Sequence, residues 1–421
     1  MILSNQMYKW ATDLFPLNRS LTGEDNLCTL KYLQQIIPQL KIKYFKSGTK
    51  VYDWEVPLEW SVTEAYIEDQ YGNKIIDYKD NNLHLVSYSE PIDGYYTLSE
   101  LKPHLHTLVD QPEAIPYKTS YYKRTWGFCL NYIQYSELQD IKYHVVIKSK
   151  LFVGKMHYGE LIIKGKSDKE ILLSTYICHP SMANNEISGI VVTTALAKEL
   201  SSLNNYYTYR ILFIPETIGS IAYLSRNSKT MINKTLAGLV ITCVGDNNNY
   251  SFMPTRLGNT YSDLVAKYVL NMYTQSHIEY TYLQRGSDER QYCSPKINLP
   301  IVSIMRSKYG TYPEYHTSLD NLNFISKEGL FGAYEIIFKF LNVIEHDRIY
   351  EPLYTCEPQL GKRGLYNISS NQDSDDLINL IAYFDGKTSL LEICKLISCD
   401  FFMSLKIIDK LLENHLIQRV K

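Results

Sequence analysis

The chain has 421 residues, 45% hydrophobic and 21% charged, with a formal charge of −2. That length supports a large core and more than one domain, while the missing basic excess argues against nucleic acid or an anionic membrane surface as partner. Eight scattered cysteines form no C-x-x-C pair, no apolar run spans a bilayer, and Met1-Ile2-Leu3-Ser4-Asn5-Gln6 lacks a signal-peptide pattern, so a cytoplasmic protein without a disulfide framework is expected.

In chain order, the residues up to Pro38 predict one helix, Leu27 to Ile37, whose Leu27, Leu30, Leu33 and Ile37 recur at helical spacing. From Lys41 to Lys150 short alternating runs, Ala65 to Glu68 and Lys74 to Tyr78 among them, are broken by Tyr71-Gly72-Asn73 and by five prolines, the pattern of a small β-rich unit. From Tyr158 to Ile344 strands alternate with helices, which predicts a parallel sheet. After Gly364 a linker rich in Asn, Ser and Asp is expected. It leads into three short helices, Leu377 to Tyr383, Ser389 to Ile397 and Met403 to Leu412, followed by a strand at His415-Leu416-Ile417. That is a winged-helix pattern with a hairpin. Its lysines are interrupted by Glu392, Asp400 and Asp409, so packing or dimerisation is favoured over DNA binding, with Phe384, Phe401 and Phe402 as docking positions.

Three polar strings lie at the ends of apolar runs. The first, Ile177-Cys178-His179-Pro180-Ser181-Met182-Ala183-Asn184-Asn185-Glu186, follows the strand Glu170 to Thr175 and leads into a helix from Ile187 to Leu200. The second, Ile214-Pro215-Glu216-Thr217-Ile218-Gly219-Ser220, closes the strand Thr208 to Ile214, and the third is Tyr315-His316-Thr317-Ser318-Leu319-Asp320. Side chains at the carboxyl ends of parallel strands converge on one crevice. Histidines and carboxylates gathered there point to a metal-dependent hydrolase. His179 serves as a ligand or as a structural histidine, and Glu186 as a ligand or a helix cap. Glu216, beyond a buried strand with no neighbouring lysine, is favoured as a site residue. Asp246 ends a third strand, Leu236 to Val244, in ordinary turn chemistry or as a ligand. The loop Arg285-Gly286-Ser287-Asp288-Glu289-Arg290, before a strand from Leu299 to Met305, is either solvated or substrate-orienting. His316, in a loop before a helix that Ser326 caps, is favoured as a ligand.

The order of these motifs resembles the zinc aminopeptidases of the bacterial leucyl aminopeptidase type. More closely, Leu14-Phe15-Pro16-Leu17-Asn18-Arg19-Ser20-Leu21-Thr22-Gly23, Tyr52-Asp53-Trp54-Glu55-Val56-Pro57, Cys178-His179-Pro180-Ser181, Pro215-Glu216-Thr217-Ile218-Gly219-Ser220 and Gly286-Ser287-Asp288-Glu289-Arg290-Gln291-Tyr292 resemble a bacterial family that combines an aminopeptidase-like domain, a small inserted β domain and a C-terminal winged helix. The resemblance implies an α/β fold with a zinc-exopeptidase-like mixed sheet flanked by helices. It divides the chain into an aminopeptidase-like domain (residues 1–45 and 150–350), an inserted β-rich domain (46–149) and a winged helix (365–421).

The departures from the zinc enzymes are specific. Asn185 stands at the bridging-aspartate position, Glu216-Thr217 replaces a Glu-Glu pair, Ser181 replaces an aspartate, and the third-strand aspartate aligns with Thr242 or Cys243, Asp246 coming a few residues late. A dinuclear centre is therefore not expected. What survives is one zinc, bound by some of His179, Glu186, Asp246 and His316, or no metal. Glu216 is then the expected general base. Asp288 or Glu289 would hold a substrate ammonium and Arg290 or Arg306 a carboxylate, with Arg19 and Tyr315 as further substrate contacts. The implied reaction is hydrolysis of an amide in a peptide or amino-acid conjugate, and homo-oligomerisation is left open. The other readings are a catalytically retired binding scaffold and a transferase-like or cyclising enzyme.

Overall fold

A computed structural model describes residues 2–365 and 371–420, with residues 371–374 described by backbone only. The polar stretch expected as a linker after Gly364 falls largely on 366–370, outside the described residues. The chain divides into two compact units. One comprises Met1–Asp263 and Ser276–Glu335, the other Leu264–Gln275 and Ile336–Lys421.

The first unit is built on an eight-stranded mixed sheet. Its centre holds four parallel strands in the order Thr208–Ile214, Glu170–Tyr176, Thr235–Val240 and Ile301–Met305. Thr208–Ile214, Glu170–Tyr176 and Ile301–Met305 are buried along their whole length, as strands covered on both faces must be. Antiparallel pairs extend the sheet. Lys155–Ile163 and Lys41–Lys46 lie on one side, and Tyr250–Met253, carrying parallel His277–Glu279, lies on the other. The third central strand stops at Val240 rather than Val244. Cys243 takes a positive φ of 54°, and Val244 N–H then donates to Ser188 Oγ at 3.0 Å, so the chain turns onto the start of a helix.

That helix, Ser188–Ser202, is introduced by a π-helical turn, Ala183–Ile187. Gly189 sits where a Cβ would come 2.4 Å from Ile241 O, which lets the helix press directly on the neighbouring chain. Two helices, Ile2–Leu14 and Glu24–Ile36, occupy the N-terminal region where one is predicted. The β-rich stretch forms a four-stranded antiparallel sheet in the order Lys74–Asp77, Glu59–Glu68, Lys142–Phe152 and Ile92–Thr97. It belongs to the same compact unit as the large sheet.

The second unit contains helices Asn371–Tyr383, Leu390–Ile397 and Phe401–Glu413. Ser389 caps the middle one in a capping box with Glu392, and Asp400 caps the last through Met403 N–H at 2.8 Å. The strand Ile417–Arg419 pairs antiparallel with Tyr350–Pro352, ahead of the helices, instead of closing the expected hairpin. Phe384 and Phe401 are buried within this unit, and the Phe402 ring lies 5.8 Å from that of Tyr273 in the same unit. Tyr273 falls within residues 150–350, one of the two docking partners expected, so Phe402 meets that expectation while Phe384 and Phe401 are enclosed among the unit's own residues.

Candidate active site

Parallel pairing assembles the site. Tyr176 stands opposite Ile214, and Ile177 N–H donates to Ile214 O at 3.1 Å, so the two strands end side by side. His179 and Glu216 follow within three residues of these ends. His179 Nε2 lies 3.9 Å from Glu216 Oε2.

His179 is fixed from behind by Glu186. One Glu186 oxygen lies 2.9 Å from His179 Nδ1 and also accepts the His179 backbone N–H. The other oxygen accepts Arg19 Nε at 2.9 Å, in an ion pair with both side chains fully buried. Arg19 Nη1 donates to Leu14 O at 2.7 Å. Burial works against an imidazolium at His179, yet the hydrogen bond and charge of Glu186, with Glu216 behind them, leave its pKa raised. Both Glu186 oxygens are therefore engaged by protein partners. Arg19 is likewise enclosed rather than offered to substrate.

Glu216 is one-fifth exposed. Its Oε1 accepts Ser287 Oγ at 2.8 Å, and its backbone N–H points at Cys178 Sγ, 3.2 Å away. Burial raises its pKa, and His179 only partly offsets this. Thr217 has φ 62°, a conformation that a β-branched residue adopts only under constraint. The constraint is Asp288, whose Oδ1 accepts Thr217 N–H at 2.7 Å and Ser220 Oγ at 2.8 Å. Burial and nearby Glu216 push the Asp288 carboxyl up to about 7. Arg290 Nη2 donates to Thr217 Oγ1 at 3.1 Å.

His316 also reaches this site. Its ring centroid lies 5.3 Å from that of His179, its Nε2 is buried without a hydrogen-bond partner, and Tyr315 stacks on it at 3.9 Å. Burial, followed by the charge of His179, pushes its pKa down to about 3, so the ring stays neutral. The segment before Tyr117 pairs with this loop. Tyr117 N–H donates to His316 O at 2.8 Å and Ser318 N–H to Ile115 O at 2.9 Å. The Tyr117 ring thereby packs 5.3 Å from His179 and 5.2 Å from His316. A cavity of about 370 Å³ opens over His179, Glu216 and His316, walled by Trp54, Tyr117, Lys118 and neighbouring tyrosines of the β-rich stretch.

The remaining expected residues are placed elsewhere. Asp246 Oδ2 accepts Asn184 Nδ2 at 2.8 Å, and its carboxylate also receives the amides of Asn248 and Ser307, so it serves a turn. Glu289 Oε1 accepts the amides of Gly286 and Ser287 and the Tyr309 hydroxyl, which organises its own loop. Arg306 lies over the Tyr250 ring at 3.8 Å and donates to Asn248 O. Asp320, the aspartate of the third polar string, accepts the amides of Asn184 at 2.6 Å and Asn185 at 2.9 Å and so anchors the π-turn. Among the described residues, only Cys178, His179 and Glu186 bring three ligand-type atoms within 4.8 Å of one another. Burial holds the Cys178 thiol well above its usual pKa, and Glu186 is spent on Arg19, so this trio fits an orienting network better than a cation.

Residues 8–347 match a family described as a domain of unknown function, DUF4910, and residues 348–419 match a winged helix-turn-helix. A Clostridium acetobutylicum protein, provisionally named a polysaccharide biosynthesis protein with an aminopeptidase-like domain, is 46% identical over 395 residues, covering 92% of this chain and 90% of that protein. A crystal structure of a provisionally named peptidase from Clostridium acetobutylicum is similar with TM-score 0.95 and 43% identity, covering 99% of this chain and 96% of the other. The zinc aminopeptidase BSAP of Bacillus subtilis shares the fold at TM-score 0.59 and 14% identity, covering 81% of this chain and 95% of its own. This chain belongs to the DUF4910 family, with an aminopeptidase-like fold and a C-terminal winged helix.

Proposed function

We propose that the cavity over His179, Glu216 and His316 hydrolyses an amide bond in a peptide or amino-acid conjugate, using one zinc ion held by His179 and His316. The observation that carries this reading is His316 Nε2, a buried imidazole nitrogen with no partner, beside a second imidazole whose Nδ1 is already occupied by Glu186. A carboxylate behind a ligating histidine is the usual way to fix the ring and raise its basicity. A second ion does not fit. Asn185 donates to the Tyr176 hydroxyl, Thr217 Oγ1 is met by Arg290, and Thr242 Oγ1 donates to Asn185 O, so none of these positions offers a carboxylate.

A zinc ion held by His179 and His316 would supply Lewis acidity at this site. Glu216, held at Oε1 by Ser287, takes the water proton at its other oxygen and returns it to the leaving nitrogen. Water thus adds to the carbonyl carbon, the C–N bond breaks, and a carboxylate and an amine leave. The raised pKa of Glu216 makes it a stronger proton acceptor than an ordinary carboxylate. The name of the clostridial relative adds amides of amino sugars to the conjugates worth testing.

Equilibrium dialysis against micromolar zinc followed by elemental analysis tests the reading. One equivalent per chain is expected, lost in a His179→Ala, His316→Ala double variant. Two equivalents, or one that survives both substitutions, would overturn it. No zinc in the parent protein would favour a retired, binding-only scaffold.

A further inference from the structure

Resting on the amide-hydrolase reading above, we propose that the cavity takes N-acylated substrates bearing an anionic group and discriminates against free amino termini. An aminopeptidase needs a carboxylate to receive the substrate ammonium. The carboxylates nearest in sequence, Asp288 and Glu289, are 1% and 0% exposed and absent from the cavity wall. Asp288 Oδ1 accepts from Thr217 and Ser220 and Glu289 Oε1 from the loop amides and Tyr309, while the second oxygen of each is buried away from the cavity wall. The one carboxylate in the wall is Glu216, which the chemistry uses.

The rest of the wall has the opposite charge. Lys118 is exposed, follows directly on the tyrosine bonded to His316, and enters no salt bridge among the described residues. A second cavity of about 470 Å³ shares Tyr121 and Tyr122 with the first and adds Lys123 and Arg124. Arg124 is paired with Glu90 at 2.9 Å, and the only acid in that wall, Glu55, is paired with Lys50, which leaves Lys123 uncompensated. Outward from Glu216 the cleft is therefore cationic. A substrate ammonium would meet Lys118, whereas a carboxylate or phosphate would be drawn to it. Trp54 and Tyr122, 37% and 64% exposed, stand edge to face at 5.5 Å and offer apolar surface to a flat ring beside that charge. An acylated amino acid and an acylated amino sugar carrying phosphate share this chemistry.

Calorimetric titration of the full-length protein with three probes separates the cases: N-acetyl-L-tyrosine, N-acetylglucosamine 6-phosphate and L-tyrosinamide. At least one acylated anion is expected to bind about tenfold or more tightly than tyrosinamide, and Lys118→Glu to weaken that anion about tenfold, roughly one charge-assisted contact. Whichever acylated probe is stronger identifies the amino-acid or the sugar source. Tighter binding of tyrosinamide, no binding of either anion, or an unchanged anion affinity in Lys118→Glu would overturn the proposal. Because binding is read without turnover, a protein that prefers the anions yet hydrolyses no amide refutes the hydrolase reading alone.

Discussion

Arg19 and Glu186 form an ion pair at 2.9 Å with no exposed surface on either side chain, and the far oxygen of that carboxylate holds His179 Nδ1. The pair joins a loop near the N-terminus to the π-turn that opens the helix Ser188–Ser202, and it sets the ring that faces Glu216. Its cost is the desolvation of two charges, which only the intact pair offsets.

Arg19→Met is accordingly expected to destabilise the protein by about 3–5 kcal/mol, since it leaves a buried carboxylate without its cation. Urea unfolding midpoints measure this. Combining it with Glu186→Gln should recover part of the loss, and a single-variant loss below about 1 kcal/mol would show that the charge is not confined as described.

Glu216→Gln keeps the shape and the acceptor toward Ser287 but cannot take a proton. Fold and zinc content are expected to stay intact while hydrolysis falls by roughly two to four powers of ten. Zinc loss in this variant would instead make Glu216 a ligand, and unchanged turnover would remove it from the chemistry.

Burial pushes the Asp320 carboxyl up to about 7, with the amides of Asn184 and Asn185 only partly opposing it. A carboxyl whose folded pKa exceeds its unfolded value holds its proton more tightly in the native state. Its contribution is therefore full below pH about 4 and is lost as pH rises toward about 7. Stability at pH 8 should be a few kcal/mol lower than at pH 5 on this account, and Asp320→Asn should flatten the difference. Paired denaturation curves check it; an equal pH slope in both proteins would contradict the assignment.

The C-terminal winged helix is expected not to bind DNA. Lys387, Lys395, Lys406 and Lys410 are interspersed with Glu392, Asp400 and Asp409, so few phosphates would be neutralised and few counterions released. A gel-shift titration of the full-length protein at about 50 mM salt gives such contacts their best chance, and salt-sensitive micromolar binding would refute this.

The sequence by itself determined the strand-helix alternation, the winged-helix composition and the convergence of His179 and Glu216, because buried parallel strands are continuous apolar runs and their ends share one edge. The helix Ile2–Leu14 was not read from the sequence, although its Met7, Trp10, Ala11 and Leu14 recur at three- and four-residue spacing. Only the tertiary structure decided what each polar residue touches. Glu186, read as a ligand or cap, is claimed by Arg19 from 167 residues away. Asp288 and Glu289 turn inward to hold a strained Thr217 and their own loop. The aromatic and cationic wall around Lys118 comes from a stretch whose local pattern says only that it is β-rich. Spacing along a chain encodes which face a residue occupies, but a charge takes its partner from whatever lies within a few ångströms, and burial makes that choice binding.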